Sequence, residues 1–421
     1  MKAVCFLTEK IIFTAIFFLI LSVEVSLSQD STGANNENTA GQTDVKDILH
    51  HIFGKKASLP EKLAKIDIRK NVSVSILPGI SYNPATSFLV GVSASVSWFT
   101  GDPARTTNSY ISSGISYSVM NQFKLSAQTG IFTENNKWSL QGDFRLWKFT
   151  QNTYGLGTGT LPDAQQNMEF KFIRFNQNIL KKIVKNFYAG LGYSLESYYS
   201  INTIDSDDKF IYPNIHNTYS SQNGFDSLKY LSSGIVINVN YDSRDNTVNT
   251  YNGFMLGLQY YNYSKAIGST RNSQRIVCEF RGFRSFNKKN SNRLALWFMG
   301  NIILNGSVPY MSLPASSWDK NNAMSRGYIQ GRFRGRNLLY AEIENRINIT
   351  SNGLLGLVFF ANALTISNPD AGVKLFDYVE PAGGVGLRIK LDKNSRTNIC
   401  VDYGIGNYNS RGVFLTLGEV F

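Results

Sequence analysis

From about Val72 to the end, the chain keeps returning to one pattern, and that pattern restricts the fold more than any other feature. Apolar and polar residues alternate over segments of about ten residues or more. Val90, Val92, Ala94, Val96 and Trp98 interleave with Gly91, Ser93, Ser95 and Ser97. Val385, Leu387, Ile389 and Leu391 interleave in the same way with Gly384, Gly386, Arg388 and Lys390. A period of two gives each class its own face of a strand. Soluble sandwiches also alternate, but their strands are shorter. Segments this long suit strands that cross a bilayer at a tilt. Backbone groups inside lipid must all be paired, so such strands must close on themselves. About sixteen segments can be counted, an even number as expected for such barrels. The expected fold is all-β: a sixteen-stranded antiparallel transmembrane β-barrel over residues 72–421.

The N-terminus supports that setting. Lys2 and Lys10 precede an apolar run over 11–21, and the small residues Ser26 and Ser28 follow. This is the layout of a secretory signal, expected to span 1–28, and the run is too short to span a bilayer comfortably. Residues 29–71 form a polar segment, expected to be partly disordered in the periplasm. Within it, Val45, Ile48 and Ile52 predict a short amphipathic helix over Val45–Phe53. The net charge of +12 admits nucleic acid as a partner in principle. In a secreted chain with this strand pattern it points instead to anionic lipid and lipopolysaccharide.

Connections fall into two sorts. "NPAT", "MNQ", "KNSNR" and "DKNS" are tight and polar, and are expected as periplasmic turns; 203–227 and 308–336 are long, and are expected as external loops. Cys278 shares parity with Ile276 and Phe280, whereas Cys400 shares parity with Asp402. Side chains on opposite faces of a wall cannot meet disulfide geometry, so two free thiols are expected. Signs of catalysis are scarce. His50, His51 and His216 are the only histidines, and none has a Cys, His or acid at ligand spacing. No catalytic residue, metal or cofactor is expected.

One stretch stands apart. "MSRGYIQGRFRGRN" packs Arg326, Arg332, Arg334 and Arg336 between glycines, and leads into a strand carrying Glu342, Glu344 and Arg346 at one parity. This resembles the inward-folded loop of the BamA/TamA superfamily, the bacterial surface antigen barrels. That loop carries an Arg-Gly-aromatic core, matched by Arg326, Gly327 and Tyr328, and its next strand carries Glu-x-Arg, matched by Glu344 and Arg346. "YDSRDNTVNTYNGF" is similar to the family's strand-turn-strand, here Asp242, Arg244, Asp245 and Gly253. The closing "GEVF" resembles its last strand, with Gly418 placed to kink it and Phe421 as the terminal aromatic of an insertion signal.

The resemblance implies an external loop folded into the lumen, and first and last strands that pair weakly and part sideways. It implies a role in inserting or translocating outer-membrane proteins, with unfolded outer-membrane proteins as clients and a separate periplasmic or lipoprotein partner. Family members carry periplasmic POTRA domains; 29–71 is too short for one, so the likeness is to a branch lacking them. Where the family offers an Asp to the loop Arg, Asn362 stands here. Arg326 is therefore expected to pair with Glu344, with Asn362 accepting a further bond. Two alternatives remain open on the residues alone. The loop is a solvated basic surface that meets lipopolysaccharide phosphates, or the chain is a passive pore or structural surface barrel without assembly activity.

Overall fold

The computed structural model describes residues 41–53, 72–83, 87–103, 105–204, 214–393 and 395–421. The expected signal over 1–28 and most of the 29–71 segment lie outside them. The strands are β1 (Val72–Asn83), β2 (Ser87–Trp98), β3 (Ser109–Ser118), β4 (Phe123–Phe132), β5 (Trp138–Thr153), β6 (Gln166–Val184), β7 (Phe187–Ile204) and β8 (Lys229–Asp242). They continue with β9 (Gly253–Tyr263), β10 (Ser273–Ser285), β11 (Asn292–Gly306), β12 (Asn337–Asn348), β13 (Leu355–Ile366), β14 (Glu380–Asp392), β15 (Thr397–Gly406) and β16 (Arg411–Leu417). Among the described residues two α-helices accompany them, α1 (Val45–Phe53) and α2 (Ile215–Asn223).

All strands belong to one antiparallel sheet in sequence order, each laddered to the next. β1 and β16 lie side by side, with Cα atoms within 8 Å. Among the described residues no ladder joins them. The sheet is thus bent round until its ends meet, and one junction lacks the hydrogen bonds of the others.

The two parities face different surroundings. Val90, Ile235, Leu256, Phe359 and Val385 point outward and are exposed, while Arg145, Glu196, Glu344 and Asp402 point inward and are buried. A continuous apolar exterior over charged interior positions is the arrangement of a lipid-facing wall. Cys278 is exposed on the outer face and Cys400 is buried on the inner one; both are free.

The interior beside the β11–β12 connection is packed. Trp147, Phe149, Phe170, Phe172, Tyr198 and Tyr230 from the wall pack with Tyr310 and Met311 of the β11–β12 connection. Trp297, Tyr340 and Leu364 pack with Tyr328 and Phe333 of the same connection. The C-terminal ends of β7 and β11, from which the long connections leave, lie at one end, the loop end. The β10–β11 and β14–β15 turns lie at the other, the turn end.

Two expectations need correction. "MNQ" joins β3 to β4 and so sits at the loop end, not with "KNSNR" and "DKNS". "NPAT" joins β1 to β2 at that same end, with 84–86 outside the described residues. Alternation of antiparallel strands assigns the end; loop length does not. Secondly, the last strand does not run to Phe421. It stops at Leu417, Gly418 takes φ +83°, and Glu419, Val420 and Phe421 turn into the lumen. A left-handed residue breaks the strand, and glycine adopts it without Cβ strain.

Helix α1 docks beneath the turn end. Val45 packs with Leu391 and Ile399. Lys46 pairs with Asp392 at 2.6 Å and Lys393 with Asp47 at 2.8 Å.

Candidate functional site in the lumen

The β11–β12 connection folds inside the barrel, and its guanidinium groups explain how it is held. Arg326 is 2 % exposed. Its Nη1 donates to Asp402 Oδ2 on β15 at 2.7 Å, and its Nη2 donates to Glu342 and Glu344 on β12. The guanidinium also lies over the Phe360 ring of β13, 3.9 Å from the centroid. A planar fork with several fixed donors can serve three carboxylates at once, which a lysine cannot. Burial without partners would be prohibitive for a charge. The sheet supplies those partners by parity: Glu342 and Glu344 are two apart on β12 and so face the same side.

The expected pairing of Arg326 with Glu344 is therefore present, but Asn362 takes another role. Its Nδ2 donates to the Arg326 carbonyl at 3.0 Å. An amide oriented to satisfy a buried backbone oxygen presents its N–H, leaving the guanidinium to carboxylates. The missing acid is replaced from β15 by Asp402, and Glu342 adds a third carboxylate. Both were legible as inward-facing acids by parity; what the sequence lacked was which strand lies opposite the loop tip.

The network continues toward the turn end. Arg346 pairs with Glu344 at 2.6 Å, and Arg388 pairs with Asp402 at 2.6 Å and with Glu419 at 2.9 Å. Tyr340 donates its hydroxyl proton to Glu342. The anchor is thus one side of an alternating lattice of cations and carboxylates, in which each charge has a neighbour of opposite sign.

Gly327 and Tyr328 fit the loop tip to β14 and β15. Gly327 has φ +110°, and a Cβ there would lie 2.7 Å from that of Ala382. A Cβ on Gly404 would come within 2.7 Å of the Gly327 nitrogen, and one on Gly406 within 2.5 Å of the Tyr328 ring. Tyr328 donates its hydroxyl to the Pro381 carbonyl at 2.7 Å. Glycines in the wall make the groove, and a glycine in the loop enters it.

The other loop arginines are also engaged. Arg332 donates to Thr160 Oγ1 at 2.8 Å and stacks over Tyr154. Arg334 donates to the carbonyls of Tyr310 and Met311 at 3.1 and 2.8 Å, stapling the loop to itself. Arg336 reaches the Gly306 carbonyl at 3.3 Å and closes the loop's neck. On the far wall, Arg145 of β5 donates to the carbonyl of Lys320 at 2.8 Å, and the Asp319 carboxylate accepts from the amides of Ala323 and Met324 at 2.9 Å each. Sequence reasoning missed Arg145, Asp319 and Arg388.

The strand-turn motif forms a separate feature at the turn end. Arg244 pairs with Asp242 at 2.7 Å. Asp245 accepts from the Tyr251 amide at 2.9 Å and from Arg396 of the β14–β15 turn at 2.9 Å. Gly253, at φ +107°, closes against Ser243, whose carbonyl oxygen would lie 2.4 Å from a Cβ. The motif ties two turns together and does not touch the lumen loop. No group of metal-ligating side chains occurs among the described residues.

No protein-family model and no curated protein sequence matches the chain. Solved structures do. The barrel of BamA from Haemophilus ducreyi lacking POTRA domains 1-3 superposes with a TM-score of 0.52 at 13% identity, covering 83% of this chain and 70% of that one. CdiB from Acinetobacter baumannii gives 0.53 at 13% identity, covering 83% and 60%. CdiB from Escherichia coli gives 0.52 at 10% identity, covering 86% and 63%. The chain therefore spans only 60% and 63% of the two CdiB chains. At these identities the likeness is one of fold. The fold is that of a bacterial outer-membrane β-barrel, and more narrowly that of the BamA and CdiB barrels.

Proposed function

We propose that this protein is an outer-membrane barrel that assists the insertion or translocation of outer-membrane proteins through a lateral seam between β1 and β16. One observation carries the reading: β1 and β16 adjoin without a ladder among the described residues, while every other neighbouring pair is laddered. A junction without a ladder has strand edges on which another polypeptide can pair. β16 is also the shortest strand, ending at Leu417. The anchored loop complements this by bracing the wall from β5 to β15, so that opening is confined to the seam. The domain plan is a cleaved signal over 1–28, a periplasmic segment over 29–71 and the barrel over 72–421. Clients are unfolded outer-membrane proteins, a separate periplasmic or lipoprotein partner captures them, and lipopolysaccharide surrounds the basic exterior loops.

The test is a set of cysteine pairs between residues 72–76 and 411–416 in a Cys278→Ser background. Oxidation that stops outer-membrane protein assembly in cells, reversed by reductant, supports the seam. Undiminished assembly in fully crosslinked barrels refutes it. The alternative of a passive pore has the docked loop against it, since the loop and the wall aromatics occupy the part of the lumen they pack in. A steady single-channel conductance from the crosslinked barrel would favour that alternative.

A further inference from the structure

The charge lattice that begins at Arg326 runs out of carboxylates at the turn end. Arg326, Arg346 and Arg388 each pair with an acid among Glu342, Glu344, Asp402 and Glu419. Arg293 of β11 and Lys390 of β14 adjoin them, at 6% and 5% exposed. Neither makes an ion pair among the described residues. These five cations against four carboxylates leave one positive charge in excess. Its position is unfavourable as well, because Arg293 stands directly opposite Arg346 in the β11–β12 ladder. Like charges facing each other across two antiparallel strands repel.

A small space lies between these side chains. Arg293, Arg346, Arg388, Lys390 and Asn398 line a cavity of about 10 Å³. Arg388 spends its donors on Asp402 and Glu419, and Asn398 Nδ2 donates to Glu419 at 2.6 Å. Arg346 donates from Nε to Glu344 at 2.7 Å and from Nη2 to the Phe421 carbonyl at 3.0 Å, but its Nη1 has no partner. Arg293 reaches Asn348 from Nη2 at 3.3 Å, and its Nε has none. No side-chain hydrogen bond engages Lys390 among the described residues. Buried N–H groups without an acceptor are costly. Neighbouring rings nevertheless hold both guanidinium groups in place. That of Arg293 lies 4.5 Å from the Tyr251 centroid, and that of Arg346 lies 5.1 Å from the centroid of Phe421, whose ring packs 5.2 Å from Trp297. The donors are set for an acceptor that the chain does not supply.

We propose that this cavity is a halide site, in which one chloride ion is held between Arg293, Arg346 and Lys390. Size selects a single atom. A space of about 10 Å³ is near the lower limit for one water-sized particle, and it has no room for a phosphate group. The Lys390 ammonium, on its flexible stem, adjusts to the slightly larger halide. Charge selects an anion over water. Water accepts hydrogen bonds, but it offsets neither the excess cation nor the repulsion between Arg293 and Arg346. The ion completes the lattice and ties β11, β12 and β14 together at the turn end. The inference does not depend on the seam.

The test follows chlorine NMR line width on the full chain folded in detergent, with sodium gluconate exchanged stepwise for sodium chloride at constant ionic strength. A saturable excess broadening is expected. Arg293→Gln/Lys390→Gln should weaken chloride binding at least about tenfold, the worth of one charge-assisted contact. Arg271→Gln, at the loop end, should leave it unchanged. Inorganic phosphate at equal ionic strength should not displace the ion. Broadening that does not saturate, or that the folded double variant retains in full, means adventitious surface ions only and overturns the proposal. Displacement by phosphate overturns it too. If the double variant does not fold, judged by heat-modifiable mobility, wild-type crystals soaked in sodium bromide decide. An anomalous peak between Arg293, Arg346 and Lys390 supports the site, and no peak there overturns it.

Discussion

Replacing Arg326 by alanine removes the one cation shared by Glu342, Glu344 and Asp402. Removing one partner of a buried ion pair costs about 3–5 kcal/mol. The three carboxylates are not left equally exposed to that cost. Glu344 keeps Arg346 and Asp402 keeps Arg388, whereas Glu342 keeps only the Tyr340 hydroxyl. The loss therefore concentrates on Glu342, to which the lost packing on Phe360 adds. About 4 kcal/mol follows, and at 1.4 kcal/mol per decade the docked-to-undocked ratio of the loop falls roughly a thousandfold. The barrel wall has its own ladders and is not expected to unfold with it.

Amide hydrogen exchange on the folded barrel reads both at once. Amides of 316–334 should exchange roughly a hundred- to a thousandfold faster, while those of β6 and β7 keep their rates. Trypsin should then cut after Arg332, Arg334 or Arg336, which the docked loop shields. Adding Glu342→Gln to Arg326→Ala should restore about 1–2 kcal/mol, because it removes the carboxylate left without a cation. Arg326→Lys should fall between, keeping charge but losing the fork. Unchanged loop exchange in Arg326→Ala would refute the reasoning, as would a double variant no better than the single.

Other outcomes follow from the same geometry. Gly327→Ala forces a left-handed φ on alanine and a Cβ 2.7 Å from that of Ala382; it should undock the loop tip at a cost of about 2 kcal/mol or more, read by the same exchange measurement. His216 of α2 packs against Tyr310 and Tyr230 beside Ser220. Burial, with Arg334 adding a smaller push, holds its pKa down to about 4. The unfolded imidazole binds its proton first as pH falls. The neutral ring's contribution, at most about 3 kcal/mol, is therefore complete above about pH 6.5 and is lost progressively toward pH 4. Proteolysis within α2 should rise over that window and not in His216→Phe. Cys278 should react with an apolar maleimide in the folded barrel, and Cys400 only after unfolding; a single oxidised pair under non-reducing conditions would contradict the opposite-face placement.

Much of this protein was legible in the chain itself. Period-two alternation is local, so it declares which side chains face lipid and which face the lumen before any strand is paired. That is why the alternation from Val72 onward marks out the strands, why the helix over Val45–Phe53 was visible, and why Cys278 and Cys400 could be placed on opposite faces. Arg326 and Glu344 could be matched because the motifs that carry them resemble those of a known family.

What needed the tertiary structure was everything set by closure. Asp402 lies 76 residues from Arg326 and meets it only because the loop tip folds in against the part of the wall that carries both β12 and β15. The same infolding turns Asn362 from an acceptor into a donor, and brings Arg145 of β5 onto the loop's far side. No local pattern shows that Gly418 takes a left-handed turn and sends Glu419 and Phe421 inward. That choice is made by Arg388, Arg346 and Trp297, which three other strands deliver to one place. Alternation dictates faces because it acts between neighbours. Partners across a barrel are chosen by how the whole sheet bends, and that is a property of all the strands together.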